Sequence, residues 1–134
     1  MYLTSILIFL SLYKLNMDKA NNIVVQKLKK QVDDNFASAE RYYSILSAVN
    51  GLKLTTREIQ LVAFTAIRGN ISYANNRKEF CERYDSTSPT INNIISKLKK
   101  VGVLVKDGTK VKVNPVIILP FDRDVVLQIS LTHG

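Results

Sequence analysis

Between Thr55 and Pro115 the chain carries three helix-sized segments with their own start and stop residues, followed at once by a short run that alternates lysine with valine. That order constrains the fold more than any other feature. Thr55-Thr56-Arg57-Glu58 reads as a capping box, in which the threonine and the glutamate three residues on satisfy each other's orphan backbone donors. Behind it Ile59, Val62, Ala63, Ala66 and Ile67 give a broad apolar face, and Gly69 closes the helix. A second helix is expected from about Tyr73 to Tyr84, burying Phe80, Cys81 and Tyr84. Asp85-Ser86-Thr87 is a turn. Ser88 is the expected cap of a third helix, with Pro89 at its first position, where a missing N–H costs nothing. Ile91, Ile94, Ile95 and Leu98 form its apolar side, and Gly102 ends it. Val103–Lys106, a tight turn at Asp107-Gly108 and Lys110–Val113 then read as a hairpin whose second strand turns its valines inward and its lysines outward. Asn114-Pro115 breaks it.

The totals fit one domain. The chain has 134 residues, 46% apolar and 22% charged, enough for one hydrophobic core and too apolar for a disordered segment. The formal charge is +8. Its distribution matters more than its sum, because Lys97, Lys99, Lys100, Lys106, Lys110 and Lys112 face only Asp107 within their stretch. Such a concentration suits a polyanion, since lysine gains affinity by releasing the counterions condensed on phosphate. A solvated basic helix face is the competing explanation. Cys81 is the only cysteine, so no intramolecular disulfide or thiolate metal cluster is expected, and it reads as a small buried hydrophobe. His133, the only histidine, has no companion ligand. There is no Gly-rich phosphate loop and no nucleophile with a base at motif spacing, so the expected class is not an enzyme. No cofactor, metal or small-molecule ligand is expected. Glu79 and Glu82 lie among Arg77, Lys78 and Arg83 and read as solvated surface, and only one of Tyr42 and Tyr43 can face the core.

The flanks are less regular. In residues 1–16 the run Leu3–Leu12 is nearly all apolar, yet about 20 residues are needed for a helix to span a bilayer, so no membrane span is expected. Met17-Asp18-Lys19 reads as the true start, with residues 1–16 an apolar extension; the alternative is a strand or helix that packs on a partner subunit. Residues 17–54 are expected to form helical segments. Val24, Leu28 and Val32 recur at i, i+4 and i+8, and a further helix follows a cap at Asn35 or Ser38, stopping at Asn50-Gly51. Residues 116–134 are expected to add strand, at Ile117–Leu119 and at Val125–Leu131.

In the third helix, at about 100° per residue, Asn93, Ser96 and Lys100 lie opposite the apolar side, with Asn92 and Lys97 on the flanks. Asparagine pairs bidentately with adenine, and lysine reaches guanine or phosphate. Ser88 and Thr90 stand at the helix start, where exposed backbone N–H groups favour phosphate. The bland reading is the hydrated face that most amphipathic helices have.

The stretch from Arg77 to Leu104, with its turn ending in a small capping residue and its helix closing on Leu98-Lys99-Lys100-Val101-Gly102, resembles the core of winged-helix regulators of the MarR type. Lys112-Val113-Asn114-Pro115 is also similar to RepL-type plasmid replication proteins, and the whole chain more faintly resembles small proteins of crAss-like and other tailed phages. The resemblance implies an α+β, mainly α fold: a winged helix-turn-helix over residues 55–115, additional N-terminal helices and a C-terminal strand. It implies contacts to double-stranded DNA from Thr90, Asn92, Asn93, Ser96 and Lys97 and from the wing, Lys106 to Lys112. With the helix-start and helix-end groups the candidate set is Ser88, Thr90, Asn92, Asn93, Ser96, Lys97, Lys100, Lys106, Lys110 and Lys112. The implied role is a transcriptional regulator or replication initiator of a phage or plasmid, acting in the host cytoplasm. The alternative is a virion or adaptor protein that uses the module for assembly. The chain departs from the MarR pattern in lacking an arginine at the base of the wing and obvious dimerisation helices at both ends. A monomeric binder or an assembly component therefore fits as well as a ligand-sensing dimer.

Overall fold

The computed structural model describes residues 16–18, 23–28, 34–119 and 125–130. Leu3–Leu12, Val32 and His133, on which expectations are stated above, lie outside them. In chain order the elements are β1 (Asn16–Asp18), β2 (Ile23–Leu28), α1 (Asn35–Asn50), α2 (Thr56–Arg68), α3 (Ala74–Tyr84), α4 (Ser88–Lys100), β3 (Leu104–Asp107), β4 (Lys110–Val113), a single 3-10 turn (Pro115–Ile117) and β5 (Val125–Ser130). The fold is α+β and mainly helical. β3 and β4 form an antiparallel hairpin, and β1, β2 and β5 form a separate antiparallel sheet with β2 in the middle.

That three-stranded sheet corrects the helical reading of the segment before α1. Ile23 to Leu28 is a strand, pairing Asn16 with Val25 on one side and Val24 with Ile129 on the other. An i, i+4, i+8 spacing fits a period of 2 as well as one of 3.6, and the β-branched run Ile23-Val24-Val25 favours the strand. A partner 100 residues away in the chain, β5, then decides between them. Of the strand expected over Val125–Leu131, Val125–Ser130 is present as β5, and Leu131 lies outside the described residues. The one expected over Ile117–Leu119 is not. Asn114 instead accepts a side-chain bond from Val116 N (3.1 Å), and Ile117 N donates back to Asn114 O (3.0 Å), winding the chain into the 3-10 turn.

α1 starts on Asp34, whose carboxylate accepts from Phe36 N (2.9 Å); neither Asn35 nor Ser38 is the cap. It ends on Gly51 in the left-handed region (φ 63°), where the absence of a Cβ removes the steric penalty. Of the tyrosine pair, Tyr43 enters the core, its hydroxyl donating to Ile117 O (2.8 Å), and burial pushes its phenol up.

α2 is the centre of the core. Leu61, Val62, Ala63 and Phe64 are all completely buried, whereas Ile59, Ala66 and Ile67 are only partly so. The apolar face is therefore wider than expected and shifted, because α2 packs against α1, α3, α4 and β4 together. Phe64 stacks on Phe36 (5.7 Å between centroids) and meets Phe80 edge-on (5.4 Å). Phe80 is buried as expected, but Cys81 and Tyr84 are half-buried. Glu79 is not merely solvated: Arg68 grips it with Nε (3.0 Å) and Nη2 (2.6 Å), tying α2 to α3. No helix among the described residues is long and apolar enough to cross a membrane.

Candidate nucleic-acid interface

α4 forms where it does because Thr87, not Ser88, caps it. Thr87 Oγ1 accepts from Thr90 N (3.4 Å), which makes Ser88 the first helical residue and moves Pro89 one place in, still within the turn whose N–H groups have no partner. Ile91, Ile94, Ile95 and Leu98 are buried. Asn92, Asn93, Ser96, Lys97, Lys99 and Lys100 are exposed, as are Ser88 and Thr90. The last-turn lysines lie at the negative end of the helix dipole, which stabilises both. Thr90 is partly committed, its hydroxyl sharing a 3.0 Å hydrogen bond with that of Thr87.

The hairpin follows α4 directly. Gly102 (φ 82°) turns the chain, and Val103 N donates to Leu98 O (3.0 Å). Pairing runs from Leu104–Val113 to Asp107–Lys110, so the two-residue loop is Gly108-Thr109, one residue later than expected. Gly108 (φ 63°) supplies the positive φ that tight hairpin loops need. Val111 and Val113 are buried; Lys106 and Lys110 are exposed and Lys112 is half-buried. The alternation in β4 therefore stands as expected, whereas in β3 Val105 pairs with Lys112 and Lys106 with Val111.

Two side chains fix the hairpin against the helices, and nothing local in the sequence marks the more important of them. Asn70, in the loop between α2 and α3, accepts three bonds on one oxygen, Oδ1: from Ser72 N (2.9 Å), Ser72 Oγ (2.7 Å) and Val111 N (3.0 Å). Ile71 N then donates to Val111 O (2.9 Å), so this loop adds to the outer edge of β4. The Ser72 hydroxyl also lies 2.8 Å from Thr109 O at the hairpin tip and donates to one of its two acceptors. At the base, Asn114 holds Gly102 O through Nδ2 (3.1 Å) and Val103 O through its backbone N–H (2.9 Å).

Two of the lysines expected to contact DNA also have internal partners. Lys97 Nζ donates to Oε1 of Glu58 (2.8 Å), the residue that closes the capping box of α2. The Glu58 side chain is only 8% exposed. Burial pushes its carboxyl up, but the bonds from Lys97 and Thr55 outweigh burial and hold it below its ordinary value. Lys112 Nζ lies 2.9 Å from Asp107 Oδ2 and, with Lys110 nearby, keeps the Asp107 carboxyl below the usual range. Lys99, Lys100, Lys106 and Lys110 form no ion pair within 4 Å among the described residues.

Elsewhere, a cleft of about 280 Å³ between α1 and α2 is lined by Glu40, Arg41, Ser44, Thr56, Ile59 and Gln60. No group of three His, Cys, Asp or Glu suited to a metal occurs among the described residues. The chain matches no family model, no curated protein and no solved structure.

Proposed function

We propose that the chain binds double-stranded DNA as a winged helix-turn-helix, with α4 in the major groove and the β3–β4 hairpin as the wing. One observation carries the reading: α4 buries one side and exposes Asn92, Asn93, Ser96 and Lys100 on the other, with exposed Lys106 and Lys110 on the hairpin that follows. An apolar back and a small polar front are what a helix needs to lie in the groove. Lysines on an adjoining hairpin suit the flanking phosphates. The bonds from Asn70 and Asn114 add support, because a hairpin fixed to its helices meets the backbone without first being ordered. The resemblance of Arg77–Leu104 and Lys112–Pro115 to regulators and replication proteins favours transcriptional control or replication initiation in a phage or plasmid.

The test is fluorescence-anisotropy titration of a duplex DNA pool at two salt concentrations. Binding should fall steeply with salt. Lys110→Ala should weaken all sequences alike and flatten the slope of log K against log salt by about one unit. Absence of binding at low salt would exclude the proposal. A second reading, a module packed within a larger assembly, draws on the apolar surface after the hairpin, where Val116 is 87% and Ile118 42% exposed.

A further inference from the structure

The outward face of α4 is neutral through its middle. With the Lys97 ammonium held on Glu58, the outward groups in the body of the helix are Asn92, Asn93 and Ser96, all neutral. Lys99 and Lys100, the last two residues of the helix, form no ion pair among the described residues. Neither α4 nor the hairpin contains an arginine. In a helix-turn-helix it is the first part of the second helix that meets base edges, while charge further along meets the backbone.

The chemistry of the two purines then separates. Guanine presents two acceptors, O6 and N7, and wants two donors, which arginine or lysine supplies. Adenine presents a donor, the N6 amino group, beside the N7 acceptor, and a carboxamide offers the complementary acceptor and donor. Set against guanine, the amide oxygen would face an acceptor.

Resting on the DNA-binding reading above, we infer that the target is A·T-rich duplex DNA, recognised in the major groove through adenine N6 and N7 by the amides of Asn93 and Asn92.

The experiment selects sites from a randomised duplex pool with the full chain and then edits the purine. Enriched duplexes should share adenines in an A·T-rich core. Replacing such an adenine with 7-deazaadenine removes the N7 acceptor but preserves pairing and the minor groove. The change should weaken the wild type by about fivefold to a hundredfold, and Asn93→Ala by no more than about twofold. Asn93 is exposed, and helix content by circular dichroism verifies that the variant folds. A guanine-containing consensus, no consensus, or indifference to 7-deazaadenine, with salt-sensitive binding intact, would overturn the inference and leave the DNA-binding reading standing. No salt-sensitive binding to any duplex would remove both.

Discussion

Lys97→Met separates a structural lysine from a DNA-contacting one. The substitution keeps the apolar stem and deletes the charge that meets Glu58 at 2.8 Å. Hydrogen bonds to a charged group contribute about 1.5–3 kcal/mol when desolvated, and surface ion pairs about 0–1. Here the carboxylate is buried while the lysine side chain is 45% exposed, and Thr55 N also donates to the same oxygen at 2.8 Å, a bond that does not depend on Lys97. The expected loss is therefore intermediate, about 1–2 kcal/mol at pH 7 by urea denaturation. The pH dependence follows from the direction of the Glu58 shift. Its folded value lies below its ordinary 4.5, so the pair's contribution is complete above about pH 4.5 and disappears as pH falls through the lower folded value. Wild type and Lys97→Met should thus converge in stability once pH falls below the folded value of Glu58. Equal stability at pH 7 would refute the pair as a stabilising contact. A deficit that persists unchanged in acid, with Glu58 protonated, would mean that the stem, not the charge, matters.

Asn70→Ala leaves Val111 N and Ser72 N without their acceptor and should cost about 1–3 kcal/mol, whereas Asn70→Asp, which keeps an oxygen for all three donors, should stay within about 1 kcal/mol of wild type in the same denaturation assay. Asp107→Asn should tighten duplex DNA binding and steepen the salt slope by about one unit by releasing Lys112, and the effect should shrink in a Lys112→Met background. Ile95→Ala should destabilise the fold by about 2–5 kcal/mol, measured by thermal or urea unfolding, because its side chain belongs to the core.

What was legible in the sequence is what is local. The Thr55–Glu58 capping box, the Asn50-Gly51 stop and the Ile91, Ile94, Ile95, Leu98 side of α4 depend on neighbours within one or two turns, and all are present. The lysine–valine alternation in β4 was readable for the same reason, since a strand's faces follow directly from its period. The features that were not legible are long-range. Glu58 and Lys97 are 39 residues apart, and Asn70 and Val111 are 41 apart, so no window reveals either contact. Lys97 therefore read as a groove contact although it is bound to the core's edge. The helical reading of Val24 and Leu28 failed because their spacing fits both periods and the strand is completed by pairing with β1 and the distant β5. The cap of α4 shifted by one residue because Thr87 and Ser88 are both capping types and the choice rests on backbone geometry.

The surface that meets DNA is the central claim, and amide chemical-shift mapping of the isotope-labelled chain against an unlabelled duplex tests it most directly. The account predicts shifts concentrated at residues 88–100 and 106–112, diminishing as salt is raised. Shifts confined to α1, or to the β1–β2–β5 sheet, with α4 and the hairpin unchanged, would contradict it.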